Sequence, residues 1–265
     1  MDLEVFGIQV TIGLVSFLAN LLSACAGGGA GLLQLPALIF LGLPFSMALA
    51  THKLASVALG VGAGLRHAQE RNLKKNLVIF ILLFGLPGVW LGARLALTIP
   101  SEIGTTALGL FTFALGLYSL KRPQLGTSSQ LGKMSRMRWL LGGLILFLIG
   151  VLNGSLSSGT GLFVTLWLVR WFGLSYSQSL AYTLILVGLF WNGTGALVLG
   201  LNGEIKWGWL PMLIAGSFFG GYIGAQLSLS KGSRFVKRAF EVLSLLMGAS
   251  LLIRSFFEHK SIFNL

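Results

Sequence analysis

Ala26-Gly27-Gly28-Gly29-Ala30-Gly31 interrupts an apolar run that begins at Phe6, and the segment after it, Leu32–Leu41, holds ten residues and includes Pro36. Ten residues of helix reach about 15 Å, half of a bilayer core. The interruption returns as Gly154-Ser155-Leu156-Ser157-Ser158-Gly159-Thr160-Gly161, again followed by a short apolar segment, Leu162–Phe172. Backbone freed from a helix at membrane depth must be buried in protein or line a water-filled cavity. The paired breaks therefore predict an all-α, polytopic membrane protein in which each half contributes a broken helix.

The rest of the chain agrees. Of 265 residues, 55% are hydrophobic and 10% charged, where a soluble domain would carry about 25% charged residues. The apolar runs are Phe6–Leu22, Leu32–Leu41, Ser46–Leu65, Asn76–Leu97 and Gly104–Leu120, then Trp139–Val151, Leu162–Phe172, Ser177–Leu201, Trp207–Leu229 and Phe240–Ile253. They predict about eight to ten segments in the cell membrane. The 37 glycines suit helices that approach closely in lipid, where small residues replace the hydrophobic drive. The net charge of +12 does not point to nucleic acid, because Lys and Arg gather in short loops, as the positive-inside rule has them. Cys25 stands alone, which excludes a disulfide framework and a cysteine metal site. No cofactor or metal is expected. The start, Met1-Asp2-Leu3-Glu4, lacks the basic region of a cleaved signal, so the first run is expected to remain.

A polar, basic linker at 121–138 divides a first membrane repeat (1–120) from a second (139–265). Gly29-Ala30-Gly31-Leu32 resembles Gly159-Thr160-Gly161-Leu162 at an offset of 130, and Gly42-Leu43 matches Gly173-Leu174 at 131. Thr51, Gly88, Gly92-Ala93 and Gly116 match Thr183, Gly220, Gly224-Ala225 and Gly248 at 132. Such duplication is common in secondary transporters, whose site lies at the repeat interface near the midplane. With the linker taken as cytoplasmic, inverted repeats put fourteen of the nineteen Lys and Arg inside, and parallel repeats only twelve. The positive-inside rule thus favours inversion, with both termini outside.

The breaks are the candidate binding site. Free helix N-termini offer N–H donors and a positive dipole end, which suit an anion. The first break supplies Gly27, Gly28, Gly29 and Gly31, with Gln34 just beyond it. The second supplies Ser157, Ser158, Gly159, Thr160 and Gly161. Thr51 and Thr183 join them as hydroxyls at repeat-equivalent positions, and Asn153 and Asn192 as amides within apolar helices. Lys53 is the one cation well inside an apolar run. At that depth a cation either serves a site or snorkels to the interface. His52 beside it is the candidate for proton coupling. His67 and His259 fall in charged loops and read as solvated. All seven acidic residues, Glu241 among them, fall at or near helix ends or termini. That opposes a cation pump and agrees with a small anionic substrate, the lipid bilayer being the other partner.

In order and spacing these features resemble the TauE/SafE sulfite exporter family, also known as the toluene-sulfonate uptake permease family. The resemblance is carried by the Gly-Gly-Gly-x-Gly break, Pro36, Gly42, Ala50-Thr51-x-Lys53, the basic loop and Gly88-x-x-x-Gly92-Ala93. It spans nearly the full chain and implies a permease for sulfite or an organosulfonate. Two departures stand out: His52 fills a position expected to be small and polar, and the second half lacks a counterpart of Pro36.

Three rival readings follow from the same residues. An anion channel shares the composition, a scaffolding membrane protein is the bland alternative, and His52 with Ser155, Ser157 or Ser158 would make an intramembrane serine hydrolase. The last is opposed by the first break, which has no serine. No phosphate-binding loop or HExxH motif is present.

Overall fold

The computed structural model describes residues 3–27, 30–68, 73–98, 101–123, 135–157 and 159–263. The expectations for Gly28, Gly29 and Ser158, and those for linker residues 124–134, lie outside that set. The described residues are helical from end to end: α1 (Leu3–Ala26), α2 (Ala30–Phe40), α3 (Phe45–Ala68), α4 (Lys75–Leu95) and α5 (Ser101–Leu120). The second half repeats the order with α6 (Arg136–Leu156), α7 (Thr160–Phe172) and a rod made of α8 (Tyr176–Tyr182), a π-helical stretch (Thr183–Trp191) and α9 (Asn192–Asn202). A short 3₁₀ turn at Trp207–Trp209 leads into α10 (Leu210–Phe263), which Gly232 (φ 74°, ψ −174°) bends into two arms. Among the described residues, five helices are long and apolar enough to cross a membrane: α1, α3, α4, α6 and the rod Tyr176–Asn202. The chain is an all-α, multi-pass membrane protein.

The short segments turn out to be return limbs. In α2 the Gln34 amide donates to Ser16 Oγ of α1 at 2.8 Å, and Leu38 joins the cluster of Ile12. In α7 the Trp167 and Trp171 indoles donate to the Gly142 and Arg138 carbonyls of α6, at 3.2 and 3.0 Å. Each pair is therefore a hairpin with its glycine break at the tip. Left-handed backbone makes the tips: Gly27 has φ 111° and Gly159 has φ 70°, conformations that side-chain-bearing residues rarely adopt. Each hairpin ends on a second left-handed glycine, Gly42 or Gly173. After the latter, Ser175 and Gln178 form a capping box that starts α8.

Two glycine seams join the halves. On one, Gly88 and Gly92 of α4 have room for no Cβ against the Phe147 and Val151 carbonyls of α6. On the other, Gly220 and Gly224 of α10 meet the Phe17 and Leu21 carbonyls of α1 in the same way. The second set is the first moved 132 residues on in the glycines and 130 back in the carbonyls. Gly116 against Leu245 and Gly248 against Phe113 form a third related pair between α5 and the far arm of α10.

Helix directions follow from these contacts. Residues 13, 17 and 21 of α1 meet 216, 220 and 224 of α10 in ascending order, and 88 and 92 of α4 meet 147 and 151 of α6 likewise. Thr51 and Arg66 of α3 bond to Lys206 and Gln226, so α3 runs with α1 and the near arm of α10. Lys53 and Gly60 meet Gly195 and Gly188 in reverse order, so the rod runs against α3. Lys74 bonding Tyr182 and Gly85 lying under Trp191 show α4 running with the rod. Helix α1 thus points one way and α6 the other. Arg66, Lys74, Lys75, Lys121, Arg136, Arg138, Arg170 and Lys231 gather at one end of the bundle, while Arg94 and Lys206 lie at the opposite end.

Candidate functional site

The two hairpin tips meet across one small, partly open cavity. The first tip contributes Ala30 and Gly31, with Ser23 from α1. The second contributes Asn153, Ser157, Thr160 and Gly161. Helix α3 adds His52, Ser56 and Leu59, and the rod adds Thr183, Leu184, Val187, Gly188 and Asn192. Most of the rod's share comes from the π-helical stretch, a winding often found at functional sites. One wall is therefore polar, and Leu59, Leu184 and Val187 supply apolar surface.

Lys53 does not snorkel. Its side chain is fully buried, and its ammonium donates to Asn153 Oδ1 at 3.1 Å, Ser157 Oγ at 3.3 Å and Asn192 Oδ1 at 3.4 Å. The lysine belongs to the first half and all three acceptors to the second. Each is a neutral oxygen, and α3, α6, α7 and the rod contain no Asp or Glu. Burying an ammonium without an opposite charge is costly, and here three polar neighbours share the burden. Gly195 makes room for the stem: a Cβ there would come within 2.6 Å of Lys53 Cδ.

His52 is oriented by a buried chain of bonds. Ser16 Oγ donates to the Leu213 carbonyl at 2.7 Å and accepts from Gln34 Nε2 at 2.8 Å. Gln34 Oε1 is then an acceptor for the His52 Nδ1 proton at 2.7 Å. That assignment leaves His52 Nε2 with a lone pair, within 3.4 Å of Ser56 Oγ. Gln34 is thus a support behind the wall. In the second half Thr165 Oγ1 bonds Thr183 Oγ1 at 2.9 Å and donates to the Gly27 carbonyl at 2.7 Å, pinning the first tip.

The pairs Gln34–His52 and Thr165–Thr183 stand 131 residues apart at both positions. The counterpart of Thr183 is therefore His52, and the match of Thr51 with Thr183 is one residue out of register. Thr51 is not at the cavity: its hydroxyl accepts from the Lys206 N–H at 3.0 Å and anchors the turn into α10. Gly27 and Gly159 shape the tips, and Asn153, Ser157, Thr160, Gly161, Gly31, Thr183 and Asn192 are brought together around the cavity.

Other expectations need correction. Glu241 is not at a helix end. It is buried within α10 beside Lys237 and accepts from Ser119 Oγ at 3.1 Å, while Ser119 bonds the Tyr176 hydroxyl at 2.6 Å. An acid four residues after a lysine signals such a pair, but Ser119 lies 122 residues away. His67 is buried at the end of α3, not solvated. Ser155 Oγ is back-bonded to the Val151 carbonyl at 2.9 Å and Ser157 faces Lys53, so neither serine pairs with His52. Ser23, Ser56 and Thr165 were not anticipated. Ser56 stands one helical turn from His52, and Thr165 is the counterpart of Gln34, so both had a readable signal.

A model of the family described as "Sulfite exporter TauE/SafE" matches residues 12–251. A probable membrane transporter protein of Haemophilus influenzae is 31% identical over 238 residues, covering 89% of this chain and 91% of the relative. The probable membrane transporter proteins ORF9 of a Sinorhizobium species and YfcA of Escherichia coli K12 are 26% and 28% identical. These alignments cover 93% and 91% of this chain, and 93% and 88% of the relatives.

Proposed function

The chain belongs to the sulfite exporter TauE/SafE family and is a membrane transporter, and from that premise we propose that it is a secondary carrier of a small anion, sulfite or an organosulfonate. The anion is held between the two hairpin tips. One observation carries this reading: residues of both tips line a single cavity, and among the described residues the cation reaching its wall is the buried Lys53 ammonium, in helices free of acids. Ser157, Thr160, Asn153, Asn192 and Thr183 supply polar contacts, and the backbone at Gly31 and Gly161 supplies N–H groups. His52, with Nε2 free to accept, is the group that couples a proton.

The halves act as inverted repeats, 1–120 and 139–265, either side of a cytoplasmic linker. This is supported by the opposite directions of α1 and α6 and by the gathering of basic residues at the linker's end of the bundle. The test is uptake of labelled sulfite into proteoliposomes, with and without a pH gradient. Saturable flux that Lys53→Ala abolishes is expected. Flux linear in concentration would mean a channel, and no flux of sulfite or of a sulfonate would overturn the anion reading.

A further inference from the structure

We propose that the cavity takes a singly charged anion, and that this anion replaces at least one of the three oxygens that hold Lys53 in the empty protein. The inference rests on the anion reading above and adds the substrate's charge and its competitor.

An ammonium has three protons, and all three are engaged, by Asn153 Oδ1, Ser157 Oγ and Asn192 Oδ1. No donor on Lys53 is left over for a ligand. An anion must therefore take at least one of these bonds, and the oxygen it evicts turns away or, for an amide, rotates to present its nitrogen. Asn153 already uses Nδ2 on the far side, donating to Thr160 Oγ1 at 2.8 Å. Asn192, at the longest of the three contacts, is the acceptor most readily replaced.

The charge follows from what surrounds the ammonium. The four helical elements around it carry no carboxylate, and among the described residues Lys53 is the charged group at the cavity wall, the neutral His52 tautomer that donates from Nδ1 to Gln34 keeping its lone pair on Nε2. One buried positive charge is compensated by one negative charge. A dianion would bring a second charge into the same low-dielectric space with nothing to balance it, and a buried unpaired charge is strongly unfavourable. Oxyacids that exist as both forms would enter as the monoanion.

The test uses purified full-length protein in nanodiscs, at one pH and constant ionic strength. Binding of methanesulfonate and acetate, both monoanions, is compared with binding of sulfate, a dianion. Wild-type protein is expected to bind at least one monoanion saturably and at least ten times more tightly than sulfate. Asn192→Asp places a resident carboxylate beside Lys53. It is expected to raise the ligand-free melting temperature and to lose monoanion binding by tenfold or more. Asn153→Asp is the second variant, with the same expectation, should the first fail to fold. Sulfate binding as tight as the monoanions would overturn the charge assignment. Unchanged monoanion binding in both Asp variants would overturn the displacement. Wild-type protein that binds none of the three probes would sink the anion reading itself, while the melting temperatures still report whether Lys53 lacks a counter-charge.

Discussion

At Gly88 and Gly220, related residues of the two halves press on related carbonyls, those of Phe147 and Phe17. Around the cavity the relation fails: Lys53 of the first half reaches across to the second, whose corresponding residue is Leu184. The difference has a physical source. A glycine seam needs only the absence of a side chain, so duplication copies it without cost. A second lysine at the site would bury another ammonium near the first, and like charges in a low-dielectric interior repel strongly. A duplicated scaffold can thus remain symmetric while its site becomes one-sided.

The comparison assumes that the halves are inverted, so the first test is the sharpest. Cysteines replacing the exposed Lys231 and Glu204 should react with an impermeant maleimide from opposite faces of the membrane, Lys231→Cys from the cytoplasm. Labelling of both from one face would break the comparison outright. Next in size is Lys53→Ala, which should weaken anion binding by about 3–5 kcal/mol, roughly a hundredfold or more, in protein that still inserts. Lys53→Arg should rescue little, because Gly195 leaves space for a slender stem and the guanidinium is broader. Near-normal binding by Lys53→Ala would mean that the one-sided charge is incidental, and by Lys53→Arg that the width of the cation does not matter.

The symmetric side of the comparison can be measured as well. Gly88→Ala and Gly220→Ala each force a methyl into a carbonyl across a seam, and each should cost about 1–3 kcal/mol of stability. Similar shifts in melting temperature would sharpen the comparison, whereas a large effect from one alone would show the seams to be unequal. Gly116→Ala and Gly248→Ala should behave alike for the same reason, since a Cβ at either would come within 2.6 Å of the other half. The smallest effect separates two threonines. Thr51→Val should cost about 1 kcal/mol of stability with transport intact, because its hydroxyl only caps the turn at Lys206. Thr183→Val should instead change transport, and equal behaviour of the two would restore the register that pairs them.

Much of this was readable in residue order. Apolar runs and paired glycine breaks sufficed for an all-α, multi-pass membrane protein with helices broken at those glycines, because lipid permits few backbone solutions. The direction of α2 and α7 after each break was not readable: the turn-back depends on Gln34 finding Ser16 and on Trp171 finding Arg138. The register at Thr51 was not legible from residue identity. His52 and Thr183 share no chemistry that a sequence match would detect, yet each is held by a partner 18 residues earlier. Lys53 was recognisable as costly, but its three acceptors lie 100 to 139 residues away.

The seam between α1 and α10 also bears on how the protein is made. Ser16 bonds Ser217, 201 residues later, and the Leu213 carbonyl. At about 5–20 residues per second, synthesis takes on the order of ten seconds or more to reach them. Throughout that interval α1 sits in the bilayer with Ser16 and Asn20 lacking those partners, while α4 and α6, made close together, can already join. Helix α1 thus waits for its α10 partner after its hairpin with α2 can already form. A cell that stalled synthesis before residue 213 would hold a membrane-inserted chain in which Ser16 and Asn20 still lack their α10 partners, a surface suited to recognition by quality control.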